Sequence, residues 1–160
     1  SQMIFKEAGS PYASQAWNPH QDNAYPQSRP GAYLTANVPF TDQYPENGCM
    51  FIYPGSHKLG LLPCMKKVRS FREGAGENPG HVSDLPPEWE GRQIDLPMTR
   101  GSVLILHGCV VHGSYPNKSE DDRPMMLMPY ITRGEAFIPG RVGKRMEIPL
   151  PRPEKAHEGV

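Results

Sequence analysis

The chain has 160 residues, enough for one domain and short for two. Seventeen basic residues balance seventeen acidic ones, so the electrostatic footprint of a general nucleic-acid binder is missing. The 19 Pro and 16 Gly make up more than a fifth of the chain and exclude long helices, while a 37% apolar content spread evenly along it argues for a folded, turn-rich β-domain rather than a disordered one.

In chain order, short apolar segments recur between Pro, Gly, Asn and Asp: Met3 to Phe5, Tyr33 to Phe40, Cys49 to Tyr53, Ile94 to Leu96, Val103 to Leu106, Val110 to His112 and Met125 to Thr132. That is the rhythm of strands and turns. Glu46-Asn47-Gly48 predicts a turn with a positive φ, and Pro54-Gly55-Ser56 a strand stop. From Leu61 to Arg92 the periodicity fades into Gly, Glu and Pro, which predicts an inserted loop or lid. Within and before it, Lys58, Lys66, Lys67, Arg69 and Arg72 form a basic run; it reads first as a solvated surface and second as a flap that steers anions. The tail from Arg141 is expected to wrap the outside. Cys49, Cys64 and Cys109 have no paired spacing, so a disulfide scaffold is not supported and a reducing, cytoplasmic location is expected. No apolar run reaches membrane-spanning length, and Ser1-Gln2-Met3 opens no basic-then-apolar leader.

The sharpest local feature is His20-Gln21-Asp22. On an extended strand residues i and i+2 point to the same side, so the imidazole and the carboxylate can converge, and Pro19 and Pro26 argue against a helix there. Together they are two-thirds of a 2-His-1-carboxylate face, which holds Fe(II) and leaves three positions open. The second histidine is His107 or His112, and spacing does not choose between them. A third arrangement, zinc on His107, Cys109 and His112, has weak spacing. Farther on, Arg123 enters a strand otherwise made of Met125, Met126, Leu127 and Met128 with no well-placed acid beside it. A guanidinium there calls for a ligand carboxylate, gripped bidentately.

Four blocks together resemble the phytanoyl-CoA dioxygenase family of Fe(II)/2-oxoglutarate-dependent oxygenases: His20-Gln21-Asp22-Asn23; Glu46-Asn47-Gly48-Cys49 running on to Pro54-Gly55-Ser56-His57-Lys58; Gly101 to His107; and His112-Gly113-Ser114 with Asn117, Ser119 and Arg123. The resemblance spans roughly residues 3 to 132. It implies an all-β chain with minor helix, a double-stranded β-helix or jelly roll of the cupin-like type, making one domain over residues 1–160 with the loop 61–92 inserted. It implies His20, Asp22 and His112 as iron ligands, and Arg123 with Ser114 as the grip on the distal carboxylate of 2-oxoglutarate. His57 is implied to be structural or at most pocket-lining; Trp17 is similar in placement to an aromatic that flanks the cosubstrate, though core packing is the simpler reading. The family usually has a helical portion ahead of the H-x-D strand, where this chain has only 19 residues before His20, and Asn37 is expected to face the pocket in place of an aromatic. The implied cofactors are Fe(II), 2-oxoglutarate and O2; the implied reaction hydroxylates an unactivated C–H of a small molecule, with an anionic one favoured by the basic run, and releases succinate and CO2. Retention of Asp22 favours hydroxylation over halogenation. The alternative is a non-catalytic cupin-like domain that binds a metal or ligand.

Overall fold

The computed structural model describes residues 1–10, 16–68, 80–135 and 150. Its strands are β1 (Gln2–Lys6), β2 (Trp17–His20), β3 (Tyr33–Pro39), β4 (Met50–Ile52), β5 (Cys64–Val68), β6 (Gly80–Ser83), β7 (Ile94–Leu96), β8 (Leu104–His107), β9 (His112–Ser114) and β10 (Arg123–Ile131). The helical content described is four single 3-10 turns, at Asp22–Ala24, Pro45–Asn47, Ser56–Leu59 and Pro87–Trp89. None is long or apolar enough to cross a membrane.

The pairings are nested. β1 pairs antiparallel with β10, β2 with β9, β3 with β8, β4 with β7, and β5 with β6. The chain therefore runs out and back as one long hairpin. Rolling it up adds the contacts β10 to β3 and β9 to β4, which close two four-stranded sheets, β1-β10-β3-β8 and β2-β9-β4-β7. This is the expected double-stranded β-helix. The segment read as an inserted loop is the innermost turn of that hairpin: β5 and β6 pair within it, and residues 69–79, with Arg69 and Arg72 of the basic run, lie outside those described, as does the tail from Arg141 except residue 150.

Strand alternation sorts the core. On β4, Met50 and Ile52 face between the sheets with Leu106, Val110, Met125, Ile4, Leu96 and Leu104, whereas Phe51 and the following Tyr53 face outward, under Val111, Leu62, Leu85, Trp89 and Tyr115. Each such side chain removed from water stabilises the fold by about 1.5–3 kcal/mol. The first sheet's outer face is less covered: Met3, Phe5 and Ile105 are each half or more exposed.

Two strand limits differ from expectation. Residues 17–20 form a strand although Pro19 interrupts the pattern; β2 lies at a sheet edge, where a missing N–H is tolerated. Val110 and Val111 precede rather than form β9, because the Val110 N–H closes a turn onto the His107 carbonyl, so His112 begins its strand instead of ending one. At the predicted Asn47-Gly48 turn, Gly48 has φ +87°, and a Cβ there would meet the Tyr115 carbonyl oxygen at 2.7 Å. Glycine is required on both counts.

Candidate metal and anion site

His20 is the last residue of β2 and Asp22 opens a 3-10 turn, but Gln21 between them is extended, with φ −115° and ψ 130°, so the two side chains do emerge on one side. Gln21 is fully buried, pointing the other way. Its Nε2 donates to the Gly60 and Cys109 carbonyls at 2.8 and 2.7 Å, and its Oε1 accepts from the Leu62 N–H at 2.8 Å. Asn23 is a second clamp: its Oδ1 accepts from both the N–H and the hydroxyl of Ser28. The four-residue block thus alternates between outward donors and inward staples.

His112 stands directly across from His20 in the β2–β9 ladder, the two rings 4.4 Å apart between centroids. The β9 backbone comes this close because residue 113 is glycine; a Cβ would strike the Phe51 ring and the Trp17 carbonyl. His20 Nε2 and His112 Nε2 lie 3.7 and 3.6 Å from Asp22 Oδ1, and the three donor atoms fall within 4.8 Å of one another. Both histidines are locked from behind. His20 Nδ1 sits 2.7 Å from the Asn18 carbonyl and His112 Nδ1 3.1 Å from that of Val110. A carbonyl can only accept, so each Nδ1 carries a proton and Nε2 is the nitrogen turned toward the site. Burial, with the neighbouring His112 next in importance, lowers the His20 pKa to about 4, so its ring is neutral at pH 7.

Thr35 carries no signature of a site residue in the sequence. Fully buried on β3, it donates its hydroxyl to Asp22 Oδ2 at 2.8 Å, which leaves Oδ1 as the oxygen free to bind a metal. Two imidazoles and one singly engaged carboxylate fit a divalent iron with an open face. His107 is not in the cluster: its ring packs against His57 at 5.3 Å, and its Nδ1 accepts the Cys109 N–H. Among the described residues, His20, Asp22 and His112 form the one group arranged to hold a metal, so the zinc arrangement on His107, Cys109 and His112 is not assembled.

A cavity of about 550 Å³ opens beside the three donors, lined also by Trp17, Tyr25, Asn37, Ser114, Arg123 and Met125. Trp17 is therefore a wall of the cavity rather than a core residue, and Asn37 faces it as expected. Arg123 is completely buried, and none of its three guanidinium nitrogens has a hydrogen-bond partner among the described residues. Burial lowers its pKa to about 10, still charged at pH 7. A buried, unpaired guanidinium is costly, and a ligand carboxylate would satisfy it.

The family model for phytanoyl-CoA dioxygenase (PhyH) matches residues 1–125. Phytanoyl-CoA dioxygenase domain-containing protein 1 of Rattus norvegicus is 30% identical over 156 residues, covering 94% of this chain and 51% of its own, and a phytanoyl-CoA dioxygenase of Arabidopsis thaliana is 33% identical over 125 residues, covering 77% and 40%. The chain spans about half the length of the curated relatives it matches. Among solved structures, the epimerase SnoN in complex with Fe3+, alpha ketoglutarate and nogalamycin RO superposes with a TM-score of 0.62 at 26% identity, over 86% of this chain and 50% of that one. EvdO2 from Micromonospora carbonacea var. aurantiaca, complexed with 2-oxoglutarate, gives 0.66 at 20% identity, over 89% and 53%, a likeness of fold.

Proposed function

The chain belongs to the phytanoyl-CoA dioxygenase family, and from that premise we propose that it is the iron- and cosubstrate-bearing domain of an Fe(II)- and 2-oxoglutarate-dependent dioxygenase that hydroxylates a small molecule. The observation that carries this reading is one cavity with two complementary ends. At one end stand His20 Nε2, Asp22 Oδ1 and His112 Nε2; at the other, the unpartnered guanidinium of Arg123 beside Ser114.

Iron and 2-oxoglutarate, when bound, supply the oxidising chemistry: O2-dependent decarboxylation to succinate and CO2, coupled to hydroxylation of an unactivated C–H. The protein's part is to hold and orient. His20, Asp22 and His112 are the iron ligands. Arg123 and Ser114 take the distal carboxylate, neutralising a charge that would otherwise have to be left in water. Met50, Met125 and Leu127 keep the wall between the two ends apolar and so exclude water. Residues 1–160 form a single domain in this reading, with 61–92 as its cover. Support comes from β6 running alongside β2, with the His81 ring 4.8 Å from that of Tyr25, a residue of the cavity wall. The basic run from Lys58 favours an anionic substrate, which a succinate-release screen over small metabolites would identify.

Adding Fe(II) and then 2-oxoglutarate without oxygen should give the weak visible charge-transfer band of a bound chelate. Arg123→Ala should need about 100-fold more 2-oxoglutarate, or about 2.7 kcal/mol, to reach half of it. No band in the wild type, or an unchanged midpoint in the variant, overturns the reading.

A further inference from the structure

The first strand brings a second cation to the same end of the cavity. Along β1 the alternation is inverted from the usual pattern: Met3 and Phe5 point out and are half exposed, whereas Ile4 and Lys6 point in. Lys6 is only 3% exposed. In the β1–β10 ladder it stands directly opposite Arg123, so two buried basic groups face each other across adjacent strands. Two positive charges in that position would repel, which favours a neutral Lys6 beside the charged Arg123 until an anion arrives. Among the described residues neither has a carboxylate within ion-pair distance.

Lys6 also holds the residue next to the site. Its Nζ donates to Ser114 Oγ at 2.8 Å and to the carbonyl of Tyr115. An ammonium has donors and no acceptor. When Lys6 is charged, Ser114 Oγ must accept from it, and the serine's own proton is released toward the cavity that Ser114 lines. When Lys6 is neutral, its lone pair can take that proton instead. The groups facing Lys6 are Arg123 on β10, Ser114 on β9 with Tyr115 just beyond it, and the Cys49 thiol just before β4. Burial, then the Arg123 charge, lowers the Lys6 pKa to about 6.

We propose that Lys6 is the second cation of the carboxylate grip, a positioning residue that takes up one proton from solvent as the carboxylate seats on Arg123 and thereby turns the Ser114 hydroxyl into a donor to it. The step moves a single proton from water to Nζ and forms or breaks no other covalent bond. The inference rests on the proposed cosubstrate role of Arg123 and Ser114 and adds to it a coupling between binding and protonation. A lone arginine would grip the anion at any neutral pH; this pair grips it more tightly as the pH falls.

The test is calorimetric titration of the anaerobic Fe(II)-loaded protein with 2-oxoglutarate and, separately, with pyruvate, which keeps the keto acid but lacks the distal carboxylate. Titrations at pH 7.5 in phosphate and in Tris, whose ionisation enthalpies differ, count the protons exchanged. The wild type should take up close to one more proton with 2-oxoglutarate than with pyruvate, and its 2-oxoglutarate affinity should rise toward tenfold per unit as pH falls from 8 to 6. Lys6→Gln keeps a donor to Ser114 without the charge. It should lose the extra proton, flatten the pH profile and weaken 2-oxoglutarate by about tenfold while leaving pyruvate unchanged; Lys6→Arg should restore the affinity without the pH dependence. Equal proton counts for the two ligands in the wild type overturn the proposal without any variant. So does a Lys6→Gln protein that binds 2-oxoglutarate like the wild type, or that loses both ligands equally. If those results come with Arg123-dependent binding, only the role of Lys6 falls; if the wild type binds no 2-oxoglutarate at all, the cosubstrate reading falls and takes this inference with it.

Discussion

The two ends of the cavity are built on opposite principles. At the His20–Asp22–His112 end, each side chain has a partner on the side facing away from the site: the Asn18 and Val110 carbonyls hold the imidazoles, and Thr35 holds Asp22 Oδ2. The donor atoms left over point at one another. At the other end the Arg123 guanidinium has no such anchor: its three nitrogens are buried without a partner among the described residues, and a second basic group, Lys6, lies opposite. One end is organised by the chain before anything binds. The other is left with a buried guanidinium that a ligand carboxylate would satisfy. A preorganised set of donors loses little entropy when a cation arrives, whereas a buried, unpaired guanidinium makes the free protein less stable and rewards an anion.

The largest expected effect comes from breaking the organised end. Asp22→Ala removes the one carboxylate among the three donors and leaves two imidazoles 4.4 Å apart between ring centroids. Fe(II) affinity should fall beyond 100-fold, and succinate release in the absence of substrate should cease. Metal-content analysis after gel filtration, with a succinate assay on the same sample, checks both. Full turnover by this variant would mean that the iron, if any, is held elsewhere.

A smaller effect separates holding from orienting. Thr35→Val keeps the volume of the side chain and deletes the hydroxyl, so Asp22 Oδ2 loses its donor and both oxygens become available. Loss of a hydrogen bond to a metal ligand lowers metal affinity by about 10- to 100-fold, and the expectation here is the lower end because Asp22 itself remains. Competition with a coloured chelator measures it, and the ligand field of a Co(II)-substituted protein should shift as the carboxylate changes its mode. An unchanged affinity and spectrum would show that Thr35 is only packed beside the carboxylate.

The difference between the ends also explains what could be read from sequence. His20 and Asp22 could be named because ligand chemistry needs particular residue types at particular spacing, the family resemblance rather than spacing set His112 above His107, and Arg123 stood out in a methionine-rich strand. Thr35 and Lys6 could not. A hydroxyl in the middle of a buried strand has no spacing signature, and its role exists only because β3 passes behind Asp22. Lys6 was hidden by an inverted pattern: the apolar Met3 and Phe5 look like core residues, and they point outward. The all-β class followed from the turn-rich rhythm, and the double-stranded β-helix from the family resemblance. The ladder from Cys64 to Val68 was missed because its pairing with Gly80 to Ser83 is set by the nesting of all the outer strands rather than by alternation within it. The extended backbone at His20 was legible, and Pro19 fits there because β2 is an edge strand with an irregular register between Trp17 and His20.

The smallest effect is on stability in the absence of metal and ligand, and it places the two ends in different pH windows. His20 is lowered from 6.5 to about 4 and Lys6 from 10.5 to about 6. In both cases the unfolded chain binds the proton more readily than the folded one, so between the two values the unfolded state carries more protons and stability rises with pH. The Lys6 contribution is fully present only above 10.5 and is lost as pH falls toward 6; the His20 contribution is present above 6.5 and is lost toward 4. The melting temperature of the metal-free protein should therefore climb by a few degrees in each window. Lys6→Gln should flatten the upper rise and leave the lower, and His20→Gln the reverse. Saturating 2-oxoglutarate with Fe(II) under nitrogen should reduce the upper slope in the wild type, because the bound anion lets Lys6 keep its proton. If the upper rise survives Lys6→Gln, the strain at the cationic end does not come from that lysine, and the contrast between an organised end and an unfinished one would rest on Arg123 alone.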